Sequence, residues 1–319
     1  MPLPVCSPFM PPGSTADAER AHDYAAMARS PNTLRAYAAD LRDFERYCRR
    51  RGETILPATS PTVAAYLAFL ADQGRRVATL ERRLAAISQA HQLAGFPSPT
   101  ADAHVRSVFK GIRRHHGSAP RPKAPIMIED LRAMVAALPE RPRGIRDRAL
   151  LLLGFAGGFR RSELTGLTRA DVEFCRDGLI VTLRRSKTDQ EGEGRRVAIP
   201  YGSLPQTCPV RALQDWLSAA EIEEGAIFRA VTRQGFIRQP ITPQSVALIV
   251  KQAAKGAGLD PDRFAGHSLR AGLCTSAARA GASERAIMNQ TGHRSSATLR
   301  RYIREGELFI DNAAIRVGL

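Results

Sequence analysis

The chain of 319 residues carries 47 Lys and Arg against 31 Asp and Glu, a net charge of +16 and a pI near 10.6. At about 150 residues per domain this length predicts two domains, and a composition of 44% hydrophobic and 24% charged residues excludes wholesale disorder. No apolar run reaches the roughly 20 residues that cross a bilayer, and the N-terminus lacks the basic-then-apolar pattern of a signal peptide.

Residues 1–29 read as a disordered leader, with five prolines among the first twelve positions. Ser30-Pro31 then marks a helix start, Ser as N-cap and Pro in the first turn. Leu34, Tyr37, Leu41, Phe44 and Cys48 follow at helical spacings of 3, 4, 3 and 4. A second helix is predicted over 61–73 and a third over 78–93, where Arg82 and Arg83 lie beside the apolar stripe of Leu80, Leu84, Ile87 and His91. A fourth follows Pro99, with Val105, Val108, Phe109 and Ile112 inward and Lys110, Arg113 and Arg114 outward. Four amphipathic helices over 30–116 make a small bundle. The proline-rich stretch 117–125 reads as a linker.

A second domain, 126–319, is predicted to be mainly helical, with helices at 129–138, 144–157, 208–219, 242–257, 268–280, 283–290 and 295–304. One β-hairpin interrupts them: strands over 179–185 and 195–199 around a polar, glycine-rich loop. The fold class is therefore mainly α, a helical bundle followed by a mixed α+β domain with a small hairpin sheet.

Both halves are basic. Residues 1–120 hold 16 basic and 10 acidic side chains, the remainder 31 and 21. Two positive domains fit a polyanion held between them, because each Lys or Arg that neutralises a phosphate releases a condensed counterion. Arg82, Arg83, Lys110, Arg113 and Arg114 are the DNA-contact candidates in the first domain. Five scattered cysteines (Cys6, Cys48, Cys175, Cys208, Cys274) have no paired spacing, which reads as reduced thiols in a cytosolic protein and not as a disulfide framework or zinc site.

Phosphate-binding glycine loops, HExxH and G-x-S-x-G are absent. Polar residues in tight or apolar settings of the second domain draw attention instead: Arg160 and Glu163 in Gly158-Phe-Arg-Arg-Ser-Glu-Leu164, Lys187 in the hairpin loop, His267 and Arg270 one turn apart, His293 after Gly292, and Tyr302. Each alone has an ordinary structural explanation as a solvated charge, a helix cap or a packing residue. Their order and spacing carry the signal.

In that order and spacing the sequence resembles the tyrosine recombinase, or phage integrase, family. The resemblance implies an N-terminal SAM-like core-binding domain and a catalytic domain acting on double-stranded DNA. It implies as catalytic residues Arg160, Lys187, His267, Arg270, His293 and Tyr302, with Glu163 supporting Arg160, and it implies no metal and no other cofactor. Two arginines would hold the non-bridging oxygens of a phosphodiester through rigid forks, with His293 as a further donor. Tyr302 would attack and form a 3′-phosphotyrosyl intermediate. His267 would accept its proton or orient the phosphate, and Lys187 would protonate the leaving 5′-oxygen. The resemblance also implies a homotetramer on two DNA sites, linked through the tail after Tyr302; folding of that tail onto its own domain is the alternative. Other functions with the same chemistry are a type IB topoisomerase and a telomere resolvase; a DNA-binding accessory protein with vestigial residues is a third alternative.

Overall fold

The computed structural model describes residues 20, 24, 29–117, 123–184, 194–297, 299, 300 and 302. Most of the leader, most of the linker, Arg185, Lys187 and the tail after Tyr302 lie outside them. The chain divides into two units, Met1–Arg121 and Pro122–Leu319.

The first unit is built on four helices, α1 (Pro31–Arg49), α2 (Ser60–Asp72), α3 (Val77–Leu93) and α4 (Ala103–His116). The expected cap closes α1: Ser30 Oγ accepts from the Thr33 amide at 3.3 Å. Thr59 caps α2 in the same way, accepting from the Thr62 amide. Phe44, Tyr47 and Cys48 of α1, Tyr66, Leu67 and Leu70 of α2, Leu80 and Ile87 of α3 and Val105 of α4 close over one core. Tyr66 sits at its centre, its ring 5.0 Å from both Phe44 and Tyr47. His91, placed on the stripe by its spacing, is buried with both nitrogens used: Nε2 accepts from the Ala58 amide at 2.9 Å, and Nδ1 bonds the Ile87 carbonyl at 2.8 Å.

The second unit opens with α5 (Ile128–Ala136), α6 (Pro142–Ala156) and the short α7 (Arg161–Gly166). A three-stranded antiparallel sheet follows, β1 (Val172–Cys175), β2 (Gly178–Leu183) and β3 (Arg195–Pro200), then α8 (Pro209–Ala219). A two-stranded ribbon, β4 (Arg229–Val231) and β5 (Ile237–Pro240), precedes α9 (Pro243–Gly256), α10 (Ser268–Arg279) and α11 (Glu284–Thr291). Ser296, Ala297, Leu299, Arg300 and Tyr302 are helical.

The core of this unit gathers the apolar run of α6, Leu150 to Leu153, with Trp216 of α8, Val250 of α9, Leu269 of α10 and the inward faces of β2 and β3. Trp216 also satisfies its one donor, Nε1 giving to the Ile227 carbonyl at 2.9 Å. The sheet is pinned by the pairing of Val181 with Val197 and of Leu183 with Arg195. The single hairpin expected from sequence thus has a third strand, β1, and the ribbon β4–β5 and helix α7 are additions. All four elements are only three to six residues long, too short to show a period.

Candidate active site

The first arginine segment begins where α6 ends. Gly158 has φ +56°, and a Cβ there would lie 2.8 Å from Thr291 Cγ2, so the turn demands glycine twice over. That turn brings Arg160 to the N-cap of α7. Glu163, in the first turn of α7, reaches back with both oxygens: Oε2 accepts from the Arg160 amide at 2.8 Å and Oε1 from Arg160 Nη1 at 2.5 Å. The carboxylate is buried, its side chain 1% exposed, while the Arg160 side chain is 17% exposed. A buried carboxylate holding a partly open guanidinium fixes where that guanidinium points.

Arg270, on the first turn of α10, joins two motif segments. Its Nη1 donates at 2.6 Å to the carbonyl of Gly158, two residues before Arg160, and at 2.6 Å to that of Thr291, two residues before His293. The residue is 1% exposed, and its Nη2 is enclosed with no hydrogen-bond partner among the described residues. Burial, helped by the like charge of Arg160, pushes its pKa down to about 10, which leaves it cationic at neutral pH. A buried cation with a spare donor is costly for folding and marks a candidate functional group.

His267, the N-cap residue of α10, lies on the surface with Nε2 3.1 Å from the Tyr302 hydroxyl. The Tyr302 ring packs against the small cluster of Cys274, Ala278, Ile287 and Leu299, which holds the phenol while leaving it half-exposed. His293 follows the left-handed Gly292 that ends α11; its ring lies 6.5 Å from that of Tyr302. Five of the six expected catalytic side chains are thus described and converge on one site. The sixth, Lys187, lies outside the described residues. Among the described residues no group of His, Cys, Asp and Glu could hold a metal ion.

Sequence reasoning missed two members of this site. Gln290 donates from Nε2 to the carbonyls of Ala156, at 2.8 Å, and Ala198, at 3.2 Å, tying α11 to α6 and β3. Arg195, on β3, is the other. It was legible as a charge in phase with Val197 and Ile199, both of which face the core.

The candidates in the first unit divide. Lys110, Arg113 and Arg114 are exposed on α4, as expected. Arg82 gives Nε and Nη2 to Asp40 at 2.8 and 2.9 Å with its side chain 48% exposed. Arg83 is a correction. It is 9% exposed and turned inward, its Nη1 held by Asp43 and the Tyr66 hydroxyl, so it serves the bundle and does not face solvent.

One buried and one partly open arginine beside a histidine-bonded tyrosine is the kind of constellation that phosphodiester chemistry uses. The Phage integrase family matches residues 126–307, and the Phage integrase N-terminal SAM-like domain matches residues 24–94. An integrase/recombinase XerD homolog of Selenomonas ruminantium is 44% identical over 295 residues, 91% of this chain and 86% of that protein. Tyrosine recombinase XerC of Corynebacterium efficiens is 30% identical over 86% of this chain and 82% of its own. The fold is shared with XerH site-specific recombinase bound to its palindromic difH substrate, at TM-score 0.64 and 16% identity over 94% of this chain and 84% of that one. It is also shared with the Tn1549 transposon integrase in complex with transposon right-end DNA, at TM-score 0.62 and 16% identity over 94% and 98%. The chain belongs to the phage integrase family: it is a tyrosine-type site-specific DNA recombinase. That membership supports recombination as the activity. No described helix is long and apolar enough to cross a membrane.

Proposed function

We propose that Tyr302 cuts duplex DNA at a specific site and holds the broken end covalently until a second 5′-hydroxyl reseals it. The observation that carries this is the 3.1 Å contact between the Tyr302 hydroxyl and His267 Nε2, in the same site as Arg270, whose enclosed Nη2 has no hydrogen-bond partner among the described residues. A phenol is a weak acid and needs a base to lose its proton at neutral pH. His267 with Nε2 unprotonated accepts that proton as the phenolic oxygen bonds to phosphorus. The bond from phosphorus to the 5′-oxygen breaks, and Lys187 gives the leaving oxygen its proton. Arg160, kept in place by Glu163, and Arg270 offset charge building on the non-bridging oxygens, with His293 as a further donor. Because the arginines supply the positive charge, the step needs no metal. Because the 3′-phosphotyrosyl bond conserves the phosphodiester's energy, it needs no ATP. Attack by the other strand's 5′-hydroxyl reverses the step and exchanges partners.

The exchange of two duplexes calls for a homotetramer on two sites, each chain gripping DNA through both basic domains, with Lys110, Arg113 and Arg114 on the backbone. Its place is the cytoplasm, on the nucleoid. Tyr302→Phe is the decisive test. The variant should bind a target selected from random duplexes as the wild type does and form no covalent adduct, with or without divalent metal. An adduct formed by Tyr302→Phe ends the proposal.

A further inference from the structure

β3 alternates outward Arg196 and Ala198 with inward Val197 and Ile199, and Arg195 falls in the inward phase. A cation on the core face of a strand requires partners. Arg195 Nη1 donates at 2.9 Å to the carbonyl of Gln290 and lies 3.5 Å from that of Asn289, in the last turn of α11. Those carbonyls have no acceptor role left inside the helix and sit at its negative end, so a guanidinium suits them. On its other side Nη2 lies 3.8 Å from Glu163 Oε2, the oxygen that accepts the Arg160 amide. Gly292 makes room for it: a Cβ there would come within 2.8 Å of Arg195 Nε. Both Nε and Nη2 are enclosed, without a hydrogen-bond partner among the described residues. They cannot meet DNA directly.

We infer that Arg195 is a positioning residue for strand cleavage: it ties Glu163, and through it Arg160, to the helix end that delivers His293, and so fixes the spacing of those groups across the scissile phosphate. The inference rests on the reading of Arg160 and His293 as phosphate-holding groups. Its electrostatic sense is simple. Among the described residues three guanidiniums, Arg160, Arg195 and Arg270, gather around the buried carboxylate of Glu163, a positive setting that suits a phosphodiester and its more highly charged transition state.

The test uses the full chain, a selected target duplex and a nicked suicide substrate that traps the adduct. Arg195→Gln should bind the duplex within about two-fold of wild type with the same salt slope, because Nε and Nη2 are enclosed and Nη1 is held by the end of α11. Its single-turnover cleavage should slow about 100-fold, the scale on which a misplacement of about 1 Å acts. Arg195→Lys should recover part of that loss, and the double variant with Glu163→Gln should be no slower than the worse single variant, because both act through one group. Cleavage by Arg195→Gln at the wild-type rate overturns the inference, and so does a loss of binding and melting temperature together, which would make Arg195 part of the fold alone. Should Arg195→Gln fail to fold, Arg195→Lys carries the same comparison, with about 10-fold slower cleavage expected and wild-type cleavage overturning it. Arg160→Ala in parallel separates the two layers: if it cleaves normally the underlying reading fails, whereas if it is dead and Arg195→Gln is normal, only this inference falls.

Discussion

Thr291 sets the protonation of His293. The Thr291 hydroxyl gives its one hydrogen to the Ile287 carbonyl, 2.6 Å away, and its oxygen lies 2.7 Å from His293 Nδ1. The imidazole must therefore donate from Nδ1, which leaves Nε2 bare in the neutral ring. Donation from Nε2 to a phosphate needs a second proton, and the arriving anion favours it. Without DNA, burial together with Arg270, Arg160, His267 and Arg195 pushes the His293 pKa from 6.5 down to about 4.

That shift makes the free protein sensitive to acid. Between about pH 6.5 and 4 the unfolded chain binds the proton at His293 and the folded chain does not, so stability present above that window is lost as the pH falls through it. Melting temperatures measured from pH 7.5 to 4 should drop for wild type more steeply than for His293→Gln, which has no proton to take up. The difference between the two curves isolates His293 from the carboxylates. Parallel curves would contradict the depressed pKa.

Removing the carboxylate at position 163 should cost stability and then return it with an anion. Glu163→Gln takes from Arg160 and Arg195 the buried carboxylate that both face, and from Arg270 a nearby negative charge. Breaking a buried ion pair from one side costs about 3 kcal/mol. Sulfate should stabilise the variant more than the wild type, by occupying the space that the phosphate fills. Denaturant midpoints with and without sulfate measure both effects. Equal stabilisation of the two proteins would mean that the arginines do not share an anion site.

Helices longer than about two turns are legible because their apolar residues recur at three and four, and Ser30 and Pro31 announce the first of them. The site's members are legible because each stands in a tight or apolar setting and their order is distinctive. What escapes does so for physical reasons. The strand Val172–Cys175 has four residues and the ribbon strands three and four, below any period. Arg83 reads as a DNA contact because its neighbours on the helix cannot show that Asp43 of the first helix and Tyr66 of the second wait for it across the bundle. Arg195 escapes although its inward phase on the strand is readable, because the sequence does not show that the Gln290 carbonyl and Glu163 lie across from it to receive the charge.

Arg83 and the α4 cations should therefore separate in one experiment. Arg83→Ala strips Asp43 and the buried Tyr66 hydroxyl of a shared charged partner, a loss of about 2 kcal/mol in stability. Its salt dependence of DNA binding should stay that of wild type. Lys110→Ala or Arg113→Ala should do the reverse, leaving stability unchanged while flattening the slope of log affinity against log salt by about 0.9 for each phosphate that is no longer neutralised. A flattened slope for Arg83→Ala would restore it as a DNA-binding residue.

The role assigned to Lys187 can be read without its position. If this lysine protonates the leaving 5′-oxygen, Lys187→Ala should cleave ordinary DNA about 10²–10⁴-fold more slowly, the usual worth of general acid catalysis. Replacing the bridging 5′-oxygen by sulfur gives a leaving group stable as an anion, which needs no proton. Lys187→Ala should then cleave the sulfur substrate at close to the wild-type rate. Arg160→Ala should not, because what it lacks is charge beside the non-bridging oxygens, and those are unaltered in the sulfur substrate. Failure of the sulfur to rescue Lys187→Ala would move the acid elsewhere. His267 is the next group to try, since it holds the Tyr302 hydroxyl at 3.1 Å and would carry the proton that the phenol has just lost.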